Sequence, residues 1–474
     1  MELTKLTLTQ IREKIRNGEV SSTEVTEAIF KRIDETADLN NFITLDREGA
    51  MQSAKKTDEK IAKGETLGEL EGVPIVVKDN ISTKGLRTTC ASKFLDNYIP
   101  PYDATVVTKL KNAGAVIVGK ANMDEFAMGS GNENSAYGPA KNAVNPTRVP
   151  GGSSGGSASS VAGFQCYGAL GSDTGGSIRQ PASYCGVVGL KPTYSTVSRY
   201  GLVAFASSLD QIGPLTRTVE DNAVLFNVIA GYDKMDSTSA NIKEDYTKYE
   251  LGVKGKIIGI PKEFFAPGLA DDVKQAVLES AKKYESLGAK IKEVSISSFD
   301  SALATYYVLA CAEATSNLAR FDGVKYGVRV EGEDYIDMYY KSRTEGFGME
   351  VKRRIMTGNY VLSSGYYDAY YLKASKVRTK IKEEFDLALK DCDILLGPTA
   401  PTTAYELGKK VTDATEMYLT DIFTVPVNII GNPAISIPCG KGADGMPIGL
   451  QLIGRSFDEK TLFGFAETYE KEGL

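Results

Sequence analysis

Short β-branched runs alternate along this chain with stretches of helical periodicity, and that alternation restricts the fold more than any other feature. Val73 to Val77 and Ala115 to Val118 read as strands; Ala104 to Ala113 between them carries Val106, Val107 and Leu110 at helical spacing. Further strand candidates lie at 256–260, 394–396, 435–438 and 448–453, with helical stretches at 271–287 and 375–389. The pattern predicts an α/β fold with a mixed, largely parallel central sheet and helices on both faces. Two helices come first. Leu8, Ile11 and Ile15 keep helical spacing as far as Asn17-Gly18, and Ser21-x-x-Glu24 is a capping box that opens the second. A chain of 474 residues allows two or three domains. With no repeat, low-complexity tract or long linker, 1–474 reads as one domain, and the polar 231–255 as a surface excursion.

Composition narrows the chemistry. The 55 Lys and Arg against 61 Asp and Glu give a net charge of −6, which argues against a broad basic surface for nucleic acid. The sequence contains no histidine. Ser-His-Asp and Cys-His catalysis are therefore excluded, as are His-containing zinc sites. Six scattered cysteines without a C-x-x-C pair read as small buried residues, not as a metal site. No apolar run approaches a membrane span, and Met1 to Gln10 lacks a basic-then-apolar leader. The expected location is cytoplasmic, with no membrane contact.

Several motif matches fail on physical grounds. Gly114-x4-Gly119-Lys120-Ala121 is one residue short of a phosphate loop; its interior is a strand, and Ala121 has no hydroxyl for Mg²⁺. Ser53-x-x-Lys56 and Ser280-x-x-Lys283 lie in charged helical stretches and read as solvated faces. The loop Gly151 to Gly156 fits G-x-S-x-G with Ser153 or Ser154 at its centre, but a hydrolase elbow needs a histidine.

What remains is a pair of Gly-Ser loops, GGSSGGS at Gly151 to Ser157 and GSDTGGS at Gly171 to Ser177, joined by a small-residue stretch, Ala158 to Leu170, that reads as a helix. Glycines this dense permit close backbone approach at an entropic cost that points to a site. The serines need a base. An exposed Asp173 would be too weak, with a usual pKa of about 3.9. Lys78 ends a predicted strand, where open α/β sheets carry ligands, and burial there could bring its amine from about 10.4 toward 7.

Together, Lys78 in VPIVVKDN, Ser153 in GGSSGGS and Ser177 in GSDTGGSIRQPAS resemble the amidase signature family, over essentially the whole chain. The resemblance implies the amidase signature fold and a Ser-cisSer-Lys set, with Ser177 as nucleophile, Ser153 as relay after a cis peptide bond and Lys78 as base. It implies backbone donors at Thr174, Gly175 and Gly176 for an oxyanion. Arg354 and Asp421 would hold the substrate's carboxylate and ammonium, with Arg353 competing for the first role and Tyr306 or Tyr307 adding a hydroxyl. Gly189 to Asp221 and Asn122 to Gly138 narrow the likeness to the branch of tRNA-dependent amidotransferases. That branch implies glutamine as ammonia donor, partner B and C subunits, and mischarged Glu-tRNA(Gln) bound mainly by the partner. ATP and Mg²⁺ would act on the partner, and this chain would carry no cofactor or metal. A stand-alone amidase acting on small amides is the competing expectation.

Overall fold

The computed structural model describes residues 2–265, 268–409 and 418–473. Its strands are β1 (Phe42–Leu45), β2 (Pro74–Lys78), β3 (Val116–Ala121), β4 (Gly168–Asp173), β5 (Val188–Lys191), β6 (Gln211–Thr216), β7 (Ile257–Pro261), β8 (Lys290–Val294), β9 (Ile394–Pro398), β10 (Ala434–Lys441) and β11 (Pro447–Ile453). They form one sheet in the order β1-β3-β2-β4-β6-β5-β10-β11-β9-β7-β8.

The sheet is mixed, but not largely parallel. Parallel pairing is confined to β3-β2-β4 and to β9-β7-β8, while the six other adjacent pairs run antiparallel. The physical reason lies in the connections. Parallel neighbours need a long crossover, whereas β10 and β11 are joined by the short turn 442–446 and can only pair as a hairpin. That hairpin joins two parts of the sheet: β10 pairs with β5 and β11 with β9.

Alternating side chains cover both faces. Leu396, Ile435 and Leu452 belong to one buried cluster, and their neighbours Leu395, Ala434 and Ile453 to the other. The first two helices start at side-chain caps: Thr7–Gln10 and Ser21–Glu24 both form reciprocal capping boxes, ahead of Leu8–Arg16 and Ser22–Glu35. The small-residue stretch differs from expectation. Its helix is Gly155–Ala162, and the chain then turns into β4. Residues 230–256 hold no helix or strand.

Lys120 sits in β3 as a strand residue, its Nζ donating to Ile81 O and Thr88 Oγ1, so the near-match to a phosphate loop is a strand end. Ser280 is a correction to the solvated-face reading. It is buried and shares a hydrogen bond with Tyr469 OH at 2.8 Å, because its helix packs that face on the C-terminal helix Glu459–Gly473. All six cysteines are free, and five are buried. Among the described residues no helix is long and apolar enough to cross a membrane, and no acidic or cysteine cluster could hold a metal ion.

Candidate active site

Lys78 is the last residue of β2, fully buried where the strand's carboxyl end meets both Gly-Ser loops. Its Nζ lies 2.7 Å from Ser153 Oγ, 2.8 Å from Ser154 Oγ, 3.0 Å from Ser172 Oγ and 3.2 Å from Ser172 O. Burial lowers the amine to about 7, partly opposed by the fields of Asp124, Asp173 and Asp210. Near neutrality a large share of this amine is therefore uncharged.

The hydrogen-bond pattern orients that amine. Ser154 Oγ–H donates to Ser172 O at 3.1 Å, so toward Lys78 it acts as acceptor. Ser172 Oγ accepts from Asn80 Nδ2 at 2.9 Å. A neutral amine has two N–H groups and one lone pair; with donation toward Ser154 and Ser172, the lone pair is left for the hydroxyl of Ser153.

Two loops present the serines. Ser153 follows a cis Gly152–Ser153 peptide bond and precedes the helix Gly155–Ala162. Ser177 lies just before the helix Arg179–Cys185, its carbonyl accepting from Ser154 N, which ties one loop to the other. Among the described residues the hydroxyl of Ser177 has no hydrogen-bond partner. Gly176 holds φ at +134°, and a Cβ there would run into Thr424, so no other residue fits this approach.

Asp173, expected from the sequence as an exposed carboxylate, is buried instead and organises the second loop. Its oxygens accept from Gly176 N (2.8 Å), Ile178 N (3.1 Å) and Arg179 Nη2 (3.0 Å). Arg179 is anchored in turn on Asn428 and Gln451. Burial alone would raise this carboxyl, but Arg179 and the hydrogen bonds bring it down to about 2. One expected oxyanion donor is thereby corrected: the amide of Gly176 already points at Asp173. The amides of Thr174, Gly175 and Ser177 have no acceptor among the described residues. The Thr174 hydroxyl donates to Asp210, and Tyr306 packs directly against Gly175.

Beyond Ser177 the structure gathers the remaining expected residues. Arg354 is the inward arginine and Arg353 the half-exposed one; both pair with Glu350. The Arg354 guanidinium lies against the rings of Tyr307, Phe205 and Tyr418 and donates only through Nε, to Glu350 at 2.8 Å. Its terminal nitrogens have no hydrogen-bond partner among the described residues. Asp421 receives the Ser130 hydroxyl on Oδ2 at 2.5 Å, while its buried Oδ1 is unpartnered, as is the buried hydroxyl of Tyr307. Burial pushes Asp421 up to about 7, against the pull of Ser130 and Arg354. Ser172, Ser130 and Gln180 were not singled out as site residues by sequence, while Ser154 was weighed only as a hydrolase-elbow serine and Asp173 only as a base too weak for the task. The signals were the motifs around them: GSDTGGSIRQ contains Ser172, Asp173 and Gln180, GGSSGGS contains Ser154, and the stretch Asn122 to Gly138 contains Ser130.

The family model described as Amidase matches residues 24–463. The A subunit of a glutamyl-tRNA(Gln) amidotransferase from Carboxydothermus hydrogenoformans is 57% identical, over 99% of this chain and 98% of the relative. The crystal structure of the corresponding glutamyl-tRNA(Gln) amidotransferase A subunit from Thermotoga maritima superposes with a TM-score of 0.81 at 44% identity, covering 99% of this chain and 95% of that one. A peptide amidase from Stenotrophomonas maltophilia is more distant in sequence, at 28% identity, with a TM-score of 0.84 over 98% of this chain and 96% of that one.

Proposed function

From the premise that the chain belongs to the amidase family, we propose that it is the glutamine-hydrolysing subunit of a tRNA-dependent amidotransferase. It supplies ammonia to convert Glu-tRNA(Gln) to Gln-tRNA(Gln) on a partner subunit in an ATP-dependent reaction. One observation carries this reading over that of a general amidase. Around the Ser177 loop stand a guanidinium with an open fork (Arg354), a carboxylate oxygen without a partner (Asp421 Oδ1) and a hydroxyl without a partner (Tyr307). Free glutamine brings an α-carboxylate and an α-ammonium to such a set; a simple amide would leave all three buried groups unpaired.

In the mechanism, the lone pair of Lys78 takes a proton from Ser153 as Ser153 takes one from Ser177. Ser177 Oγ forms a bond to the side-chain amide carbon of glutamine. The oxyanion is met by the amides of Thr174, Gly175 and Ser177, with the N-terminal end of the helix Arg179–Cys185 behind them. The relay then runs backward: the proton returns through Ser153 to the leaving nitrogen, the C–N bond breaks and ammonia departs. Water attacks the glutamyl ester, giving up its proton along the same path, and glutamate leaves with Ser177 restored.

The ammonia acts on an acyl group activated elsewhere. ATP and Mg²⁺ belong to the partner B subunit in this reading, a small C subunit completes the complex, and mischarged tRNA is held mainly by the partner. This chain contributes no cofactor or metal, acts in the cytoplasm without membrane contact, and forms one domain over 1–474. The net charge of −6 supports delegating tRNA contact. Co-expression with B and C subunits followed by a glutamine-dependent Glu-tRNA(Gln) amidation assay tests it. The alternative, a stand-alone amidase, draws on the fold shared with the peptide amidase; full-rate turnover of simple amides by the chain alone would favour it, and failure of amidation would remove the amidotransferase reading.

A further inference from the structure

The stretch Asn122 to Gly138 carried a resemblance but no chemistry. In the structure its Ser130, buried, donates through Oγ to Asp421 Oδ2 at 2.5 Å and accepts through its carbonyl from Gln180 Nε2 at 2.9 Å. Gln180 is also fully buried, and its Oε1 accepts the N–H of Gly152 at 3.0 Å, directly before Ser153. Three hydrogen bonds thus run from the carboxylate of the substrate pocket to the loop of the relay serine.

We propose that Ser130 and Gln180 are positioning residues through which engagement of the substrate's ammonium at Asp421 sets the placement of Ser153. The proposal rests on the glutaminase reading for the identity of that ammonium. A primary amide offers a donor and an acceptor on one rigid plane, so Gln180 faces a carbonyl and an N–H at once. The two oxygens of Asp421 likewise share a plane: an ammonium taken by the free Oδ1 fixes Oδ2, and with it Ser130. Binding energy from a part of the substrate that does not react is thereby delivered to the reacting centre and is read in kcat.

The test compares glutamine with 4-carbamoylbutanoate, the same amide without the α-ammonium, on the protein assembled with its partner subunits. The unsubstituted protein should show a kcat about tenfold or more higher for glutamine. In Gln180→Ala that kcat preference should shrink to about threefold or less while the KM preference for glutamine persists. Gln180→Glu keeps the shape and adds a pH readout. Protonated, the new carboxyl donates to Ser130 O and accepts from Gly152; ionised, it repels the Ser130 carbonyl, so kcat should fall as pH rises from about 6 to about 8. The unsubstituted protein gains rate over the same range. An unchanged kcat preference in Gln180→Ala, or a Gln180→Glu profile that follows the unsubstituted one, overturns the proposal; if Gln180→Ala does not fold, Gln180→Glu decides alone. Equal kcat for both amides in the unsubstituted protein also overturns it and leaves the glutaminase reading standing. Hydrolysis of neither amide removes the glutaminase reading, and the proposal with it.

Discussion

Two buried lysines end strands of the same sheet, and only one stands where chemistry can follow. Lys78 closes β2 and Lys191 closes β5; neither side chain reaches solvent, and burial lowers both amines to about 7, with the Arg179 charge adding to the effect at Lys191. Around Lys78 are three serine hydroxyls, whereas Lys191 donates to a single carbonyl, Pro192 O, at 2.9 Å. A carbonyl cannot give up a proton. A shifted pKa is thus necessary for a lysine base but not sufficient; the hydroxyl that hands over the proton makes the difference.

The comparison breaks first at the far end of the hydroxyl chain. Ser177→Ala should lower glutamine hydrolysis by about 10⁴-fold or more with an unchanged melting temperature, read as glutamate release. Retained release would mean that the nucleophile lies elsewhere. Next, Lys78→Met should cost about 10³-fold in acylation and Lys191→Met about threefold or less. Equal losses in a single-turnover assay would abolish the distinction between the two amines. Arg354→Lys exchanges an open fork for a point charge and should reduce kcat/KM for glutamine by about 10 to 100-fold, mostly through KM; Arg353→Ala should stay near the parent.

The smaller effects concern pH. With the neutral amine of Lys78 as the proposed base, kcat/KM should fall at least about tenfold per unit as pH drops below 7, and more steeply where protonation of Asp421, also near 7, weakens its hold on the ammonium. The same shift acts on stability. Unfolded lysine titrates near 10.5 and these two folded amines near 7, so above pH 7 the unfolded chain binds more protons and stability rises with pH. The gain belongs to the window from about 7 to about 8.5, since buried cysteines such as Cys185, raised by burial, act in the opposite sense near 9 and above. Lys191→Met should remove part of that gain in urea melts while leaving the kinetic pH profile in place. Loss of the kinetic inflection in that variant would reassign the base.

Strands rich in Val, Ile and Leu were legible because their composition matches their burial: β2, β3, β7, β9, β10 and β11 all lie within two or three residues of the sequence reading. β4, β5 and β6, reading GALGSD, VGLK and QIGPLT, were not. Gly, Ser or Pro interrupts each of their apolar runs, and at some of these positions neighbouring elements approach too closely for a larger side chain; a Cβ on Gly171 would press on Ile178, Leu215 and Ser154. The charged edge strand β8, KIKEV, likewise carries no apolar run. Within the site, the place of Lys78 at a strand's end was readable, while the order of the two serines came through resemblance. The supports were out of reach of local reasoning. Asp173 and Arg179 meet Asn428 and Gln451, and Ser130 meets Asp421, across about half the chain or more.

The C-terminal hairpin gives the sheet an order of assembly. Lys78, Ser153 and Ser177 sit in the part made by β1 to β6, Arg354 and Asp421 come later in the chain, and the strands that bridge β5 to β9 leave the ribosome after all five. Until they arrive, β5 and β9 are open edges that invite pairing with another chain, and a product truncated before Ala434 would be a candidate for aggregation and degradation. The nascent polypeptide therefore holds the proposed triad well before the proposed glutamine contacts are fastened beside it, so that synthesis of the β10–β11 hairpin serves as the check on a finished sheet.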